Sequence, residues 1–170
     1  RYDRDYYRNL VEKARALIPE FALTTDVIAG LPTETEEEHK ETLALLEELR
    51  PSRVHVFTYT PRPKTRAASL PQVPLEIRKR RNRELTALAH HLAEARVRPK
   101  LGGRVEVLVE SFRGGKAYGH TPDYFELEAE GAARVGQTVW VRVEGVDKFI
   151  LRGRIEAVKE EPARLLIPVS

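Results

Sequence analysis

The spacing of hydrophobic and polar positions changes once along this chain. Up to about residue 97, apolar residues recur every three or four positions or form short unbroken runs. From Arg104 onward they recur every second position. In the first part, Leu10, Val11, Ala14, Leu17 and Ile18 share one face of a helix predicted over residues 6–18, which Pro19 is placed to end. Val27-Ile28-Ala29 is a short apolar run that predicts a buried parallel strand, stopped by Gly30 and Pro32. Thr35 followed by Glu38 has the spacing of a capping box. A helix is therefore predicted from Glu36 to Leu49, burying Leu43, Leu46 and Leu49, with Pro51 closing it. The stretch Arg53 to Tyr59, β-branched and aromatic, predicts a second strand. A long helix follows over about residues 75–97, with Leu85, Leu88 and Leu92 along its buried stripe. Helix, strand, helix and strand joined by short connections fit successive units of a parallel α/β sheet or barrel. Two strands cannot close a barrel, so further strands are expected ahead of Arg1.

In the second part, Val105, Val107 and Val109 alternate with Glu106, Leu108 and Glu110. Gly114-Gly115 predicts a hairpin turn. Further strands are expected at Tyr124–Glu128, Thr138–Val143 and Phe149–Ile155. Four or five short strands with glycine turns predict a small antiparallel β-barrel, closed or nearly so and OB-like in size. The fold class is thus α/β over residues 1–99, followed by a β-barrel over residues 100–170.

Composition narrows the function. No apolar run in the 170 residues approaches the ~20 needed to span a membrane. The start of the chain lacks a signal-peptide pattern, so a soluble, cytoplasmic protein is expected. Without cysteine, these residues offer no disulfide and no thiolate metal ligand. Without methionine, the chain is expected to be a piece of a longer one. His90 and His91 diverge by about 100° on a helix, too far to chelate one metal. The net charge of +3 hides a segregation: residues 62–104 carry twelve basic and three acidic groups, between two acidic flanks. This stretch is either a phosphate-binding stripe, a solvated face or a domain-interface clamp. Arg78, Lys79, Arg80, Arg81 and Arg83 crowd the start of the long helix, where cations oppose the helix dipole, so something other than helix stability must account for them.

Ligands of parallel α/β proteins meet the chain beyond the carboxyl ends of strands, which directs attention to the turn Gly30 to Glu34. By itself, Gly30-Leu31-Pro32 fits either an ordinary strand-to-helix turn or one where glycine lets backbone approach a ligand. Phe57 and Tyr59, on one side of their strand, form either core or the wall of an adenine pocket. Asp26 and Glu34 are open to an acid–base reading, but a glutamate at a helix start ordinarily caps it. Tyr118, Tyr124, Phe125 and Trp140 in the barrel are either core or base-stacking groups.

Thr24-Thr25-Asp26-Val27-Ile28-Ala29-Gly30-Leu31-Pro32-Thr33-Glu34-Thr35-Glu36-Glu37 resembles a characteristic segment of radical S-adenosylmethionine methylthiotransferases. His55-Val56-Phe57-Thr58-Tyr59-Thr60-Pro61-Arg62-Pro63-Lys64-Thr65-Arg66-Ala67-Ala68 resembles a second segment. The terminal barrel, with Gly119-His120-Thr121-Pro122-Asp123-Tyr124 and Gly136-Gln137, is similar to their TRAM domain. His55-Val56-Phe57 and Gln72-Val73-Pro74 lean toward the branch acting on threonylcarbamoyl-adenosine beside the tRNA anticodon.

The resemblance implies the C-terminal part of a radical S-adenosylmethionine barrel, a partial TIM-type barrel, followed by TRAM. It implies a parent using S-adenosylmethionine and two 4Fe-4S clusters to insert a methylthio group. None of these cofactors is expected on this chain alone, which lacks the cluster cysteines and is expected to be inactive without the N-terminal part. Gly30, Leu31, Pro32, Phe57 and Tyr59 become cofactor-facing residues. Arg62, Lys64, Arg66, Arg78, Lys79, Arg81 and Tyr124 become contacts to the tRNA anticodon stem-loop. No catalytic residue and no metal ligand is assigned. Exposed barrel edges leave dimerisation open. A stand-alone RNA-binding protein and the sister enzyme acting on a ribosomal protein are the alternatives. Leu31, Thr33, Lys64 and Arg66 depart from the family pattern, which carries Phe, Gly, Gly and Pro there.

Overall fold

The computed structural model describes residues 3–18 and 21–159; Pro19 lies outside them. The chain divides into two compact units, Arg1–Arg98 and Pro99–Ser170. No helix among the described residues is long and apolar enough to cross a membrane.

The first unit runs α1 (Arg4–Leu17), β1 (Thr24–Ala29), α2 (Glu36–Leu49), β2 (Arg53–Thr58) and α3 (Leu75–Val97), with a short 3-10 turn at Arg66–Ser69. The capping box of α2 is formed. The Thr35 hydroxyl accepts from the Glu38 N–H at 3.1 Å, and the Glu38 carboxylate accepts from the Thr35 N–H at 2.8 Å. A left-handed Arg50 ends α2 just before Pro51. β1 and β2 pair in parallel, with Asp26 opposite His55 and Ile28 opposite Phe57. One face of this pair is covered: Ala29 packs with Leu46, Leu85 and Leu92 in a core joined by Val27 and Val56. On the other face, Ile28 and Phe57 are 45% and 52% exposed.

The expected apolar face of α1 differs from the observed one. Only Val11 is buried on α1, whereas Leu10, Leu17 and Ile18 are exposed. The helix docks through Tyr7 and Val11 against Leu23, Leu45 and Leu49. Arg8 pairs with Glu48, and Arg15 donates to the Leu49 carbonyl. These polar anchors rotate the helix so that half of its apolar stripe turns away.

The second unit is a closed barrel of five strands in the order β3-β4-β5-β7-β6. They are β3 (Arg104–Arg113), β4 (Lys116–His120), β5 (Glu126–Glu130), β6 (Thr138–Asp147) and β7 (Ile150–Val158). Val107, Val109, Val139, Val141, Val143 and Leu151 fill the interior, as the period-two pattern requires. The wholly antiparallel barrel expected from sequence is corrected, because β5 and β7 pair in parallel. Residues 131–137 carry the chain across to β6, which pairs with β3, and β7 then returns alongside β5. Tyr124 also falls outside its expected strand. The chain turns there, with the Tyr124 N–H donating to the Thr121 carbonyl at 2.9 Å.

Thr33 and Lys64 have φ of 68° and 66°. These are the two positions where this chain replaces a glycine of the resembled pattern. The backbone keeps the left-handed shape, and a β-branched residue must adopt it at Thr33. Replacing Thr33 by Gly is expected to raise the unfolding free energy of the first unit by about 1 kcal/mol, measured by urea denaturation.

Candidate functional site

The carboxyl ends of β1 and β2 open onto one turn, and α3 holds that turn from behind. Gly30 is buried with φ 74°, and its N–H donates to Glu34 Oε2 at 2.9 Å. The Tyr59 N–H donates to the Ala29 carbonyl at 2.9 Å, extending the pairing one residue past β2. The Thr33 N–H reaches the Pro71 carbonyl at 3.1 Å, tying the turn to the segment leading into α3.

Arginines in the first two turns of α3 complete the arrangement. Arg78 Nη1 donates to the Tyr59 carbonyl at 2.7 Å. Arg81 Nη1 donates to Glu34 Oε2 at 2.7 Å and to the Glu34 carbonyl at 3.0 Å, and its Nη2 reaches Glu36 at 3.2 Å. The Arg81 side chain is only 4% exposed. Arg80 bridges Glu36 at 2.7 Å and Glu84 at 3.3 Å. Glu84 also meets Nε2 of the buried His39 at 2.7 Å. Hydrogen bonds from Arg80 and then Arg81 hold the Glu36 carboxyl down at about 2. Glu36 in turn raises the Arg80 pKa. The cations that oppose the dipole of α3 are thus offset by carboxylates from the turn and from the start of α2.

The expected site residues separate into two groups. Phe57 stands on the open face of β2, and Leu31 is exposed beside the turn. Tyr59 is half-buried, and its hydroxyl lies buried with no partner among the described residues. Gly30 and Pro32 are buried. A Cβ on Gly30 would collide with Cγ of Arg78, so the close approach that glycine permits is that of the α3 side chain.

Among the expected RNA contacts, Arg62, Lys64, Arg66 and Lys79 are exposed, as is Tyr124 in the second unit. Arg78 and Arg81 are placed differently from the surface position expected: both are turned inward, where Arg81 neutralises carboxylates and Arg78 caps a carbonyl. Both bind groups within the first unit, so what they clamp is the turn and the end of β2. Ile28 was missed, because Val27-Ile28-Ala29 reads as one buried run. The alternation of Asp26 with Ile28, and of His55 with Phe57, is the signal that places it on the open face. Among the described residues no group of three or more His, Asp or Glu is placed to hold a metal ion.

No family model matches the chain. Individual proteins do. The tRNA-2-methylthio-N(6)-dimethylallyladenosine synthase of Chloroflexus aurantiacus is 37% identical over 153 residues, covering 86% of this chain and 33% of that protein. The protein of the same name from Geobacillus thermodenitrificans is 43% identical over 111 residues, 65% of this chain and 21% of that protein. The threonylcarbamoyladenosine tRNA methylthiotransferase MtaB of Chlamydia pneumoniae is 34% identical over 159 residues, 91% of this chain and 38% of that protein. This chain belongs to the MiaB-like methylthiotransferase family. It spans between about a fifth and two fifths of the length of these relatives.

The clamp has two measurable consequences. Arg81→Met leaves the Glu34 carboxylate without its cation in a largely buried position, and is expected to cost the first unit about 3 kcal/mol in urea denaturation. Glu36 has a folded pKa of about 2 against an ordinary 4.5, so its stabilising contribution is present above pH 4.5 and fades as pH falls toward 2. Glu36→Gln is expected to flatten the acid limb of the stability–pH curve in that window while leaving its slope near neutrality unchanged.

Proposed function

We propose that this chain is part of an enzyme that adds a methylthio group to a modified adenosine beside the tRNA anticodon, in the cytoplasm. The observation that carries this is the pairing of exposed Ile28 and Phe57 on the open face of β1 and β2, next to a turn locked by α3. We read the two strands as consecutive members of a partial barrel, with that face lining its interior. S-adenosylmethionine, the cofactor the family implies, would supply radical and methyl-transfer chemistry when bound.

The residues present suit its nucleoside in part. Ile28 and Phe57 offer a flat apolar surface to a purine. The Tyr59 hydroxyl, buried and without a partner among the described residues, would meet the nucleoside only if the ligand displaced what covers it. Leu31 extends the apolar rim, and the Arg81–Glu34–Gly30 clamp keeps the turn rigid. The iron–sulfur clusters find no ligand set, since the sequence has no cysteine, and no step is derived through them. Arg62, Lys64 and Arg66 on the exposed loop after β2, with Lys79, would neutralise tRNA phosphates.

Threonylcarbamoyl-adenosine is the proposed nucleoside, supported by His55-Val56-Phe57 and Gln72-Val73-Pro74. The identity of 37–43% to proteins named for dimethylallyladenosine favours that nucleoside as a second reading. The two separate by mass spectrometry of tRNA nucleosides from cells lacking their own methylthiotransferases and expressing the intact gene product. A methylthio mass increment on threonylcarbamoyl-adenosine is expected. An increment confined to dimethylallyladenosine transfers the assignment to the second reading, and none on either refutes the proposed activity. The RNA surface has its own measure: replacing Arg62, Lys64 and Arg66 together by Gln is expected to lower the slope of log K against log salt by about two for tRNA binding.

A further inference from the structure

The segment between β2 and α3 carries charge of one sign. No Asp or Glu occurs between Glu48 and Glu76, while Arg62, Lys64 and Arg66 are all exposed there. Among the described residues the side chains of these three have no ion pair and no hydrogen bond. Arg78, Lys79, Arg80 and Arg81, at the start of α3, each have one. The segment is therefore a concentration of positive charge with no counter-charge of its own.

Its shape does not depend on those charges. The Thr65 N–H donates to the Arg62 carbonyl at 3.3 Å, and the Thr65 hydroxyl donates to the same oxygen at 2.8 Å. The Ala68 N–H reaches the Thr65 hydroxyl at 3.3 Å, and the Ser69 hydroxyl donates to the Arg66 carbonyl at 2.8 Å. Gln72 Nε2 closes the far side on the carbonyls of Ala67 at 2.9 Å and Leu70 at 2.7 Å. Pro63 and Lys64 form the corner of the Arg62–Thr65 turn, with Lys64 at φ 66°. Glycine is the unstrained residue at such a corner, so closing the turn does not call for a lysine.

Both ends of the segment are fixed at the carboxyl ends of the strands. It leaves β2 at Tyr59, whose N–H is bound to the Ala29 carbonyl and whose carbonyl is held by Arg78. It returns at Pro71, whose carbonyl is bound by the Thr33 N–H of the turn after β1. The unpaired cations thus stand on a loop tethered at both ends to the candidate site. Any substrate must reach that site, because group transfer needs the reacting atoms held close together.

We propose, on the tRNA reading above, that this loop selects the nucleoside by its charge: Lys64, supported by Arg66, pairs with the carboxylate of a threonylcarbamoyl substituent on the adenosine. The dimethylallyl substituent is a hydrocarbon and offers these cations nothing to pair with. An acid-free cationic loop attracts an anion and gives no apolar group a pocket. Phosphates of the RNA chain are anions as well, but they are the same whichever substituent the adenosine bears.

The test is fluorescence anisotropy of the intact gene product with anticodon stem-loops that differ only at the modified adenosine, which carries threonylcarbamoyl, its methyl ester or dimethylallyl. Every phosphate is kept while the carboxylate is present, masked or absent. The acid is expected to bind about tenfold more tightly than the ester or the dimethylallyl loop. Lys64→Gly, which suits the turn, is expected to bring the acid down to the affinity of the ester; Arg66→Gln narrows the gap, and Lys64→Arg keeps it. Wild-type protein that binds acid and ester equally, or prefers dimethylallyl, overturns the charge selection. A Lys64→Gly protein that loses the same factor on all three loops has lost a phosphate contact, and one that keeps the full preference for the acid reads it elsewhere; either overturns the role of Lys64. Wild-type protein that binds none of the stem-loops overturns the tRNA reading itself, and the charge selection with it.

Discussion

The ion pair between Arg81 and Glu34 is the constraint on which the first unit is arranged. Placing a guanidinium and a carboxylate largely out of water is costly, and is offset only when their remaining polar atoms are also satisfied. That condition is mostly met. Glu34 Oε2 receives both Arg81 and the Gly30 N–H, and Arg81 also reaches the Glu34 carbonyl and Glu36. The arginine therefore fixes the shape of a turn as well as neutralising a charge. Arg78 does the same for the exit of β2 through the Tyr59 carbonyl, and its stem occupies the space that Gly30 leaves open. One helix start thereby fixes the carboxyl ends of both strands.

The local signals in the sequence translated directly where a short-range interaction decides the outcome. The Thr35–Glu38 capping box, the extent of α3 and the alternating valines of β3 and β6 are of this kind. What was illegible depended on partners distant in sequence. Ile28 belongs to an apolar run and reads as core, yet the register with Phe57 turns it outward. The stripe on α1 predicts a buried face, but Arg8 and Arg15 anchor the helix at another rotation. The parallel pairing of β5 with β7 follows from a crossing that strand patterns do not encode. In the site, the concentration of arginines at the start of α3 was visible as an oddity. That Arg78 and Arg81 turn inward, while Arg62, Lys64, Arg66 and Lys79 stay exposed, required the positions of Glu34, Glu36 and the Tyr59 carbonyl.

Thr33, Lys64 and Tyr124 share a left-handed backbone without being glycine. Thr33 is held by a hydrogen bond to Pro71, and the turn at Tyr124 by the hydrogen bond between Thr121 and Asp123. Arg50 and Lys148, in two other short connections, share this backbone, so it marks tight turns in both units.

The most direct measurement of the clamp is native-state hydrogen exchange at the Gly30 amide, which donates to the carboxylate that Arg81 holds. If that ion pair organises the turn, this proton exchanges only through the same large opening that releases the amides around Leu85 in α3, with matching protection. A Gly30 amide that exchanges as fast as the exposed loop around Lys64 would contradict the account.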